Sequence, residues 1–187
     1  MVMLKTDNLI HKKSSGSYVV LFNLSLKNYP KQTVMIVQSL VNKKHLPGVY
    51  LTINKPYNTL INTLNNNKIH AEMIIFIDAI SNLNSSKKHN DHSHVTFLEN
   101  PQDLSDMGIA VAEALESIHN KKKFLIVDAM STLLLYNDED LVAKFFHFLI
   151  SKIRDMEVIT IILNIKTKKD RNLVNEVGQF CDTVLGV

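Results

Sequence analysis

Short apolar runs alternate with segments of helical period along most of the chain. Tyr18-Val-Val-Leu-Phe-Asn-Leu24 reads as a first strand, because β-branched and aromatic residues fill a short continuous run. Val34, Val37, Leu40 and Val41 then recur at helical spacing within Thr33–Asn42. Pro47-Gly48 predicts a turn into a strand over Val49–Ile53. Pro56 is expected at the first position of a helix that runs to about Asn67. Met73–Asp78 predicts a third strand, apolar up to its final aspartate.

A polar loop follows over Ser81–His94, and then a short strand over Val95–Leu98. Asn100-Pro101 is read as a helix start, with the asparagine as cap and the proline at the first position. Leu104, Met107, Val111, Leu115 and Ile118 supply that helix's apolar stripe. Phe124–Asp128 predicts another strand. Asn137-Asp-Glu-Asp140 supplies the cap and first-turn acids of the next helix, with Leu141, Phe145, Leu149 and Ile153 as its inner face. Phe145, Phe146 and Phe148 on this helix are read as packing residues. Val158–Leu163 predicts a strand, Arg171–Gly178 a short helix, and Thr183–Val187 a last strand. Near-continuous apolar strands separated by helices imply a mostly parallel sheet covered on both faces. The expected class is α/β in three layers, as one domain over residues 1–187 in which 1–16 form an N-terminal extension.

Composition narrows the chemistry. The hydrophobic fraction of 45% and the charged fraction of 21% exclude global disorder. Cys181 is the one cysteine, so no intrachain disulfide and no cysteine-based zinc site can form; it is expected to be buried and inert. The net charge of +3 is too small to argue for a nucleic-acid protein. Only Arg154 and Arg171 among the basic residues are arginine, which disfavours an arginine cluster for bidentate phosphate recognition. With 5 glycines in all, a glycine-rich phosphate loop is nearly excluded. Met1–Lys13 lacks the apolar core of a secretory signal, and no apolar run approaches the ~18 residues of a membrane span, so a cytoplasmic location is expected.

In open parallel sheets, ligands bind beyond the carboxyl ends of the strands. The polar residues there are Asn23 and Ser25, Asn54 and Lys55, Asp78, Asp128, and Asn164 and Lys166. Phe124-Leu-Ile-Val-Asp128 has the Walker B pattern of four apolar residues and an aspartate. Its continuation, Asp128-Ala-Met-Ser-Thr-Leu-Leu-Leu-Tyr136, resembles the corresponding segment of RecA-like ATPases of the KaiC-like branch. Gly48–Lys55 is similar to that family's second strand, and Phe180–Val187 to a late one, so the resemblance runs from about Ser17 to Val187. It implies a RecA-like P-loop NTPase fold. It also implies a family that assembles as rings, with ATP bridging neighbouring subunits.

The departures carry as much information. A P-loop needs Gly-x-x-x-x-Gly-Lys-Ser/Thr, so that backbone N–H groups can turn inward around the phosphates. The interval here is Ser25-Leu-Lys-Asn-Tyr-Pro-Lys-Gln32. Lys31 falls where the lysine would, but Ser25 and Pro30 replace the glycines. Pro30 donates no N–H and disfavours a helical Tyr29. Gln32 stands in place of the metal-binding hydroxyl, unless Thr33 serves one position on, and Asn54 and Lys55 replace the acids that would activate water. Ser25, Lys31, Gln32, Thr33, Asn54 and Asp128 are therefore expected to form a degenerate nucleotide site with no catalytic residue and no cofactor.

The expected function is a non-catalytic regulatory or scaffolding module that binds a protein partner or forms a small homo-oligomer. One alternative is an ATPase with an unorthodox phosphate site that uses ATP and Mg²⁺. Another is a single-stranded nucleic-acid binder with Lys166, Lys168, Lys169 and Arg171 as its rim, its charge diluted by Asp170. No metal site is expected; His89, His92 and His94 are the residues that could hold one, but no helical spacing preorganises them.

Overall fold

A computed structural model describes residues 16–83 and 94–186. Within them, seven apolar runs pair into one sheet: β1 (Tyr18–Leu24), β2 (Gly48–Thr52), β3 (Ile74–Asp78), β4 (Val95–Phe97), β5 (Lys123–Asp128), β6 (Val158–Ile165) and β7 (Thr183–Gly186). Their order is β4-β3-β2-β5-β6-β1-β7. Every pairing is parallel. Continuous burial of the central strands is what a sheet covered on both faces requires, and all five residues of β2 are buried.

The helices are α1 (Tyr29–Gln38), α2 (Tyr57–Asn66), α3 (Leu104–Ser117), α4 (Glu139–Ile153) and α5 (Arg171–Gly178). One core layer holds Phe22, Tyr50, Phe76 and Phe124 under Ile36, Val37, Leu60 and Leu64 of α1 and α2. The opposite layer holds Leu21, Val49, Leu51 and Val127 under Met107, Val111, Leu149 and Leu173 of α3, α4 and α5. The alternation along each strand thus sends successive side chains to different helices.

Several helix boundaries differ from the expected ones. The first helix starts on Tyr29 rather than Thr33, since the Ser25 carbonyl accepts from the N–H groups of Asn28 and Tyr29, both at 2.9 Å. Pro30 sits in its first turn, where a missing N–H leaves no bond unmade. Tyr29 is therefore part of the helix, against the steric bias that precedes a proline. Pro56 is the cap of α2, one residue before its first turn. Asn100 closes a local turn by accepting from the Gln102 N–H at 2.9 Å, and Asp103 caps α3 by accepting from the Asp106 N–H at 2.9 Å. In α4 the inner face is rotated: Phe145, Leu149 and Ile153 are buried, whereas Leu141 is 51% exposed and Phe148 59%. Lys123 closes the far end of α3 by donating to the carbonyls of Leu115 and Ile118, both at 2.7 Å.

Candidate functional site

Parallel pairing brings the polar strand ends together. Thr52 is in register with both Asp78 and Asp128, and Asn23 with Asn164. The ends are tied laterally: the Ile53 N–H donates to the Asp128 carbonyl at 2.6 Å, and the Ala79 N–H to the Thr52 carbonyl at 3.0 Å. The peptide bond from Asp128 to Ala129 is cis.

Asp128 is the centre of the arrangement. It is 1% exposed at the end of β5. Tyr29, from the first turn of α1, donates its phenol to Oδ1. Tyr50, from the middle of β2, donates its phenol to Oδ2 at 2.5 Å. Asn54 donates its amide to the Tyr29 oxygen at 2.9 Å. The Lys55 ammonium lies 5.6 Å from the centre of the Tyr29 ring, a cation–π distance. Burial pushes the Asp128 carboxyl above its ordinary range, although the two phenol hydrogen bonds and the Lys55 charge pull it down. Both phenols are pushed up as well, first by burial and then by the carboxylate beside them. These groups hold their protons, so the phenols act as hydrogen-bond donors.

Among the described residues, the other expected members of this site make no hydrogen bond to the carboxylate itself, and Thr33 reaches it only through the Tyr29 phenol. Ser25 is half-buried and uses its carbonyl to start α1. Lys31 is exposed on α1. Gln32 is buried, and the Thr33 hydroxyl donates to the carbonyl of Tyr29 at 2.9 Å while also lying beside the Tyr29 phenol. The geometry thus joins Asn54 and Thr33 to Asp128 through Tyr29, which the residue pattern assigns no role at the site. Tyr50 is likewise unforeseen. Its signal is a phenol inside an otherwise aliphatic central strand, because a buried tyrosine hydroxyl needs a partner.

Asp78 has a different task. Its fully buried carboxylate accepts from the N–H groups of Tyr57 at 2.6 Å and of Ile80 and Ser81 at 2.9 Å, and from the Ser81 hydroxyl at 2.5 Å. It fastens the loop after β3 to the start of α2. Asp170 is also turned inward: it is 2% exposed and accepts from the Asn164 amide at 2.5 Å and the Thr167 N–H at 3.1 Å. Both partners are neutral groups, so these bonds fix where the Asp170 carboxylate lies without cancelling its charge. Lys166, Lys168, Lys169 and Arg171 are all exposed.

His94 is exposed at the start of β4, whereas His89 and His92 lie outside the described residues. No cluster of three or more metal-ligating side chains occurs among the described residues. Cys181 is half-buried rather than buried; its thiol donates to the Val177 carbonyl at 3.3 Å, and burial pushes it up to about 12, which keeps it a thiol. No helix among the described residues is long and apolar enough to cross a membrane.

A family model described as a family of unknown function, DUF7504, matches residues 69–187, more than half of the chain. The chain belongs to that family. No curated protein matches it. Among solved structures, a KaiC-like protein of the hyperthermophilic archaeon Pyrococcus horikoshii superimposes with a TM-score of 0.67 at 15% identity, over 96% of this chain and 76% of that one. An uncharacterised protein of the same organism, solved in complex with an unknown peptide, gives 0.66 at 13% identity, over 98% of this chain and 82% of that one. A third Pyrococcus horikoshii protein gives 0.62 at 12% identity, over 97% and 87%. These likenesses establish the α/β fold of the KaiC-like, RecA-fold group.

Proposed function

We propose that this chain is a non-catalytic member of the RecA/KaiC-like fold group and works by binding protein. The observation that carries the reading is the Tyr29–Asp128–Tyr50 arrangement. Both oxygens of the carboxylate that would serve a metal–nucleotide complex accept from phenols of this chain. Those phenols come from two elements of one core layer, α1 and β2, one on each carboxylate oxygen, and the carboxylate is closed off from solvent. The loop before α1 has no glycine to form an anion cradle, and Pro30 removes one donor. The residues present do not fit a Mg²⁺–triphosphate. Phosphoryl transfer rests almost wholly on positioning and electrostatic stabilisation, so a site lacking these parts supports no turnover. The Pyrococcus protein solved with a peptide has the same fold, which is consistent with such a domain serving as a peptide-binding surface.

Phosphate release from Mg²⁺-ATP tests this. The expected result is a rate equal to the protein-free blank, and no saturable nucleotide binding tighter than ~1 mM. Turnover that disappears in Asp128→Asn would establish an ATPase instead.

The exposure of four basic side chains together, Lys166, Lys168, Lys169 and Arg171, favours a second reading, single-strand nucleic-acid binding at that rim. No aromatic side chain stands among these residues to stack on bases, so electrostatics alone would have to hold the strand. Anisotropy of a labelled oligothymidylate is expected to show only weak binding that vanishes by about 0.2 M salt. Salt-resistant binding lost on charge reversal of Lys168 and Lys169 would make this the primary function.

A further inference from the structure

The face of the molecule opposite α1 and α2 carries an apolar groove between α3 and α4, with a volume of about 480 Å³. Its walls include Ile109 of α3 and Leu141 and Phe148 of α4, all more than half exposed, and its floor includes Gly108 and Phe145. Leu141, Phe145 and Phe148 repeat at i, i+4 and i+7, so one stripe of α4 lines the groove along two turns. Exposed apolar side chains scattered singly need no explanation, but three around one concavity do.

Gly108 adds an independent observation. A glycine in a helix interior is a standing cost against alanine. This one has no positive φ. A Cβ built on it would meet only the edge of Phe145, at 3.7 Å, an ordinary contact. Nothing within the described chain requires the missing side chain. Its effect is to deepen the groove so that a foreign backbone or side chain can approach α3.

The charges on the groove have one sign. Lys144 and Lys152 line it, are exposed, and form no ion pair among the described residues. They are eight residues apart, which is ~12 Å along the helix. A second copy docking the same face by two-fold symmetry would set lysines against lysines. A bilayer would be met by a convex apolar face, whereas this one is concave.

We propose that this groove receives an amphipathic helix of a partner protein, with apolar anchors at i, i+3 or i+4, and i+7, and with Asp or Glu flanking them to meet Lys144 and Lys152. The proposal deepens the reading of the chain as an interaction module by naming the surface and the chemistry of the partner. It follows the helix-in-groove mode of recognition.

The test selects a helix-favouring random peptide library, displayed on phage, against the full chain, and measures the consensus peptide by fluorescence anisotropy. Acidic, amphipathic sequences are expected to be enriched. The peptide should bind at least about tenfold more weakly to Phe148→Ser and to the Lys144→Glu, Lys152→Glu double variant. Gly108→Ala separates binding from folding: it should unfold at a higher temperature than the parent and yet bind the peptide more weakly. Selected peptides without acidic bias, or binding that Phe148→Ser and Gly108→Ala leave unchanged, would overturn the proposal. So would self-association, or binding to anionic lipid vesicles, that Phe148→Ser abolishes. ATP turnover is measured separately, so failure of the groove and failure of the non-catalytic reading give different results.

Discussion

Asp128→Ala is expected to lower stability by ~2–4 kcal/mol, because it leaves the Tyr29 and Tyr50 phenols buried without their shared acceptor and opens a void beneath them. Asp128→Asn keeps the shape and one acceptor, and its amide can donate to the Tyr50 oxygen. It loses the acceptor for the Tyr50 proton but no longer buries a charge, so it is expected within ~1 kcal/mol of the parent. The pH dependence separates the two effects. Burial raises the Asp128 carboxyl in the fold, so the folded chain holds that proton more tightly than the unfolded chain, whose aspartate titrates near ~3.9. Between the unfolded value and the raised folded one, the folded state binds more protons. The stability contributed by Asp128 is then fully present below that window and falls as pH rises through it. Asp128→Asn lacks this titration. Its stability relative to the parent should therefore improve from about pH 4 upward, as read from urea unfolding at a series of pH values. A parent that gains on Asp128→Asn with rising pH would mean that the carboxylate is stabilised as an anion.

The second large effect is expected at Gly48, where β2 meets β5. Gly48 is in register with Phe124, and a Cβ built on it would lie 2.4 Å from the root of the Phe124 ring. That ring is fully buried in the middle of the sheet, so it cannot swing away. Gly48→Ala should cost ~1–3 kcal/mol through forced displacement of ring or backbone. The cause is steric and not conformational, since Gly48 has no positive φ. The double variant Gly48→Ala, Phe124→Ala, which removes the clashing ring atoms from Cγ outward, should consequently be more stable than the sum of the single changes predicts, in a thermal or denaturant cycle. Additive losses would place the role of Gly48 elsewhere.

The architecture was legible in the residues because burial on both faces leaves a local signature. A strand such as Phe124–Val127 can be apolar throughout only if helices cover both sides, and such strands separated by helices pair in parallel. The polar residues at or next to the strand ends, Asn23, Asp78, Asp128 and Asn164, follow from the same pattern. Boundaries were less legible, since they depend on which of several adjacent caps wins. Asn100 and Asp103 are both competent caps, and the structure uses the second for α3.

The partners of each polar side chain could not be read locally. Tyr29 and Tyr50 are 99 and 78 residues from Asp128 in the chain. Nothing in the neighbourhood of either phenol states that one carboxylate will serve both. Asp170 sits among lysines in the chain, yet its carboxylate is drawn inward by Asn164. The apolar residues of α4 were visible in its spacing, but whether Leu141 and Phe148 end up under the sheet or beside a groove depends on how α4 rotates against α3. Periodicity sets which residues share a face of an element, because it is fixed by backbone geometry. Contacts between elements are set by packing the whole core at once, so the capped aspartate and the open groove exist only in the tertiary structure.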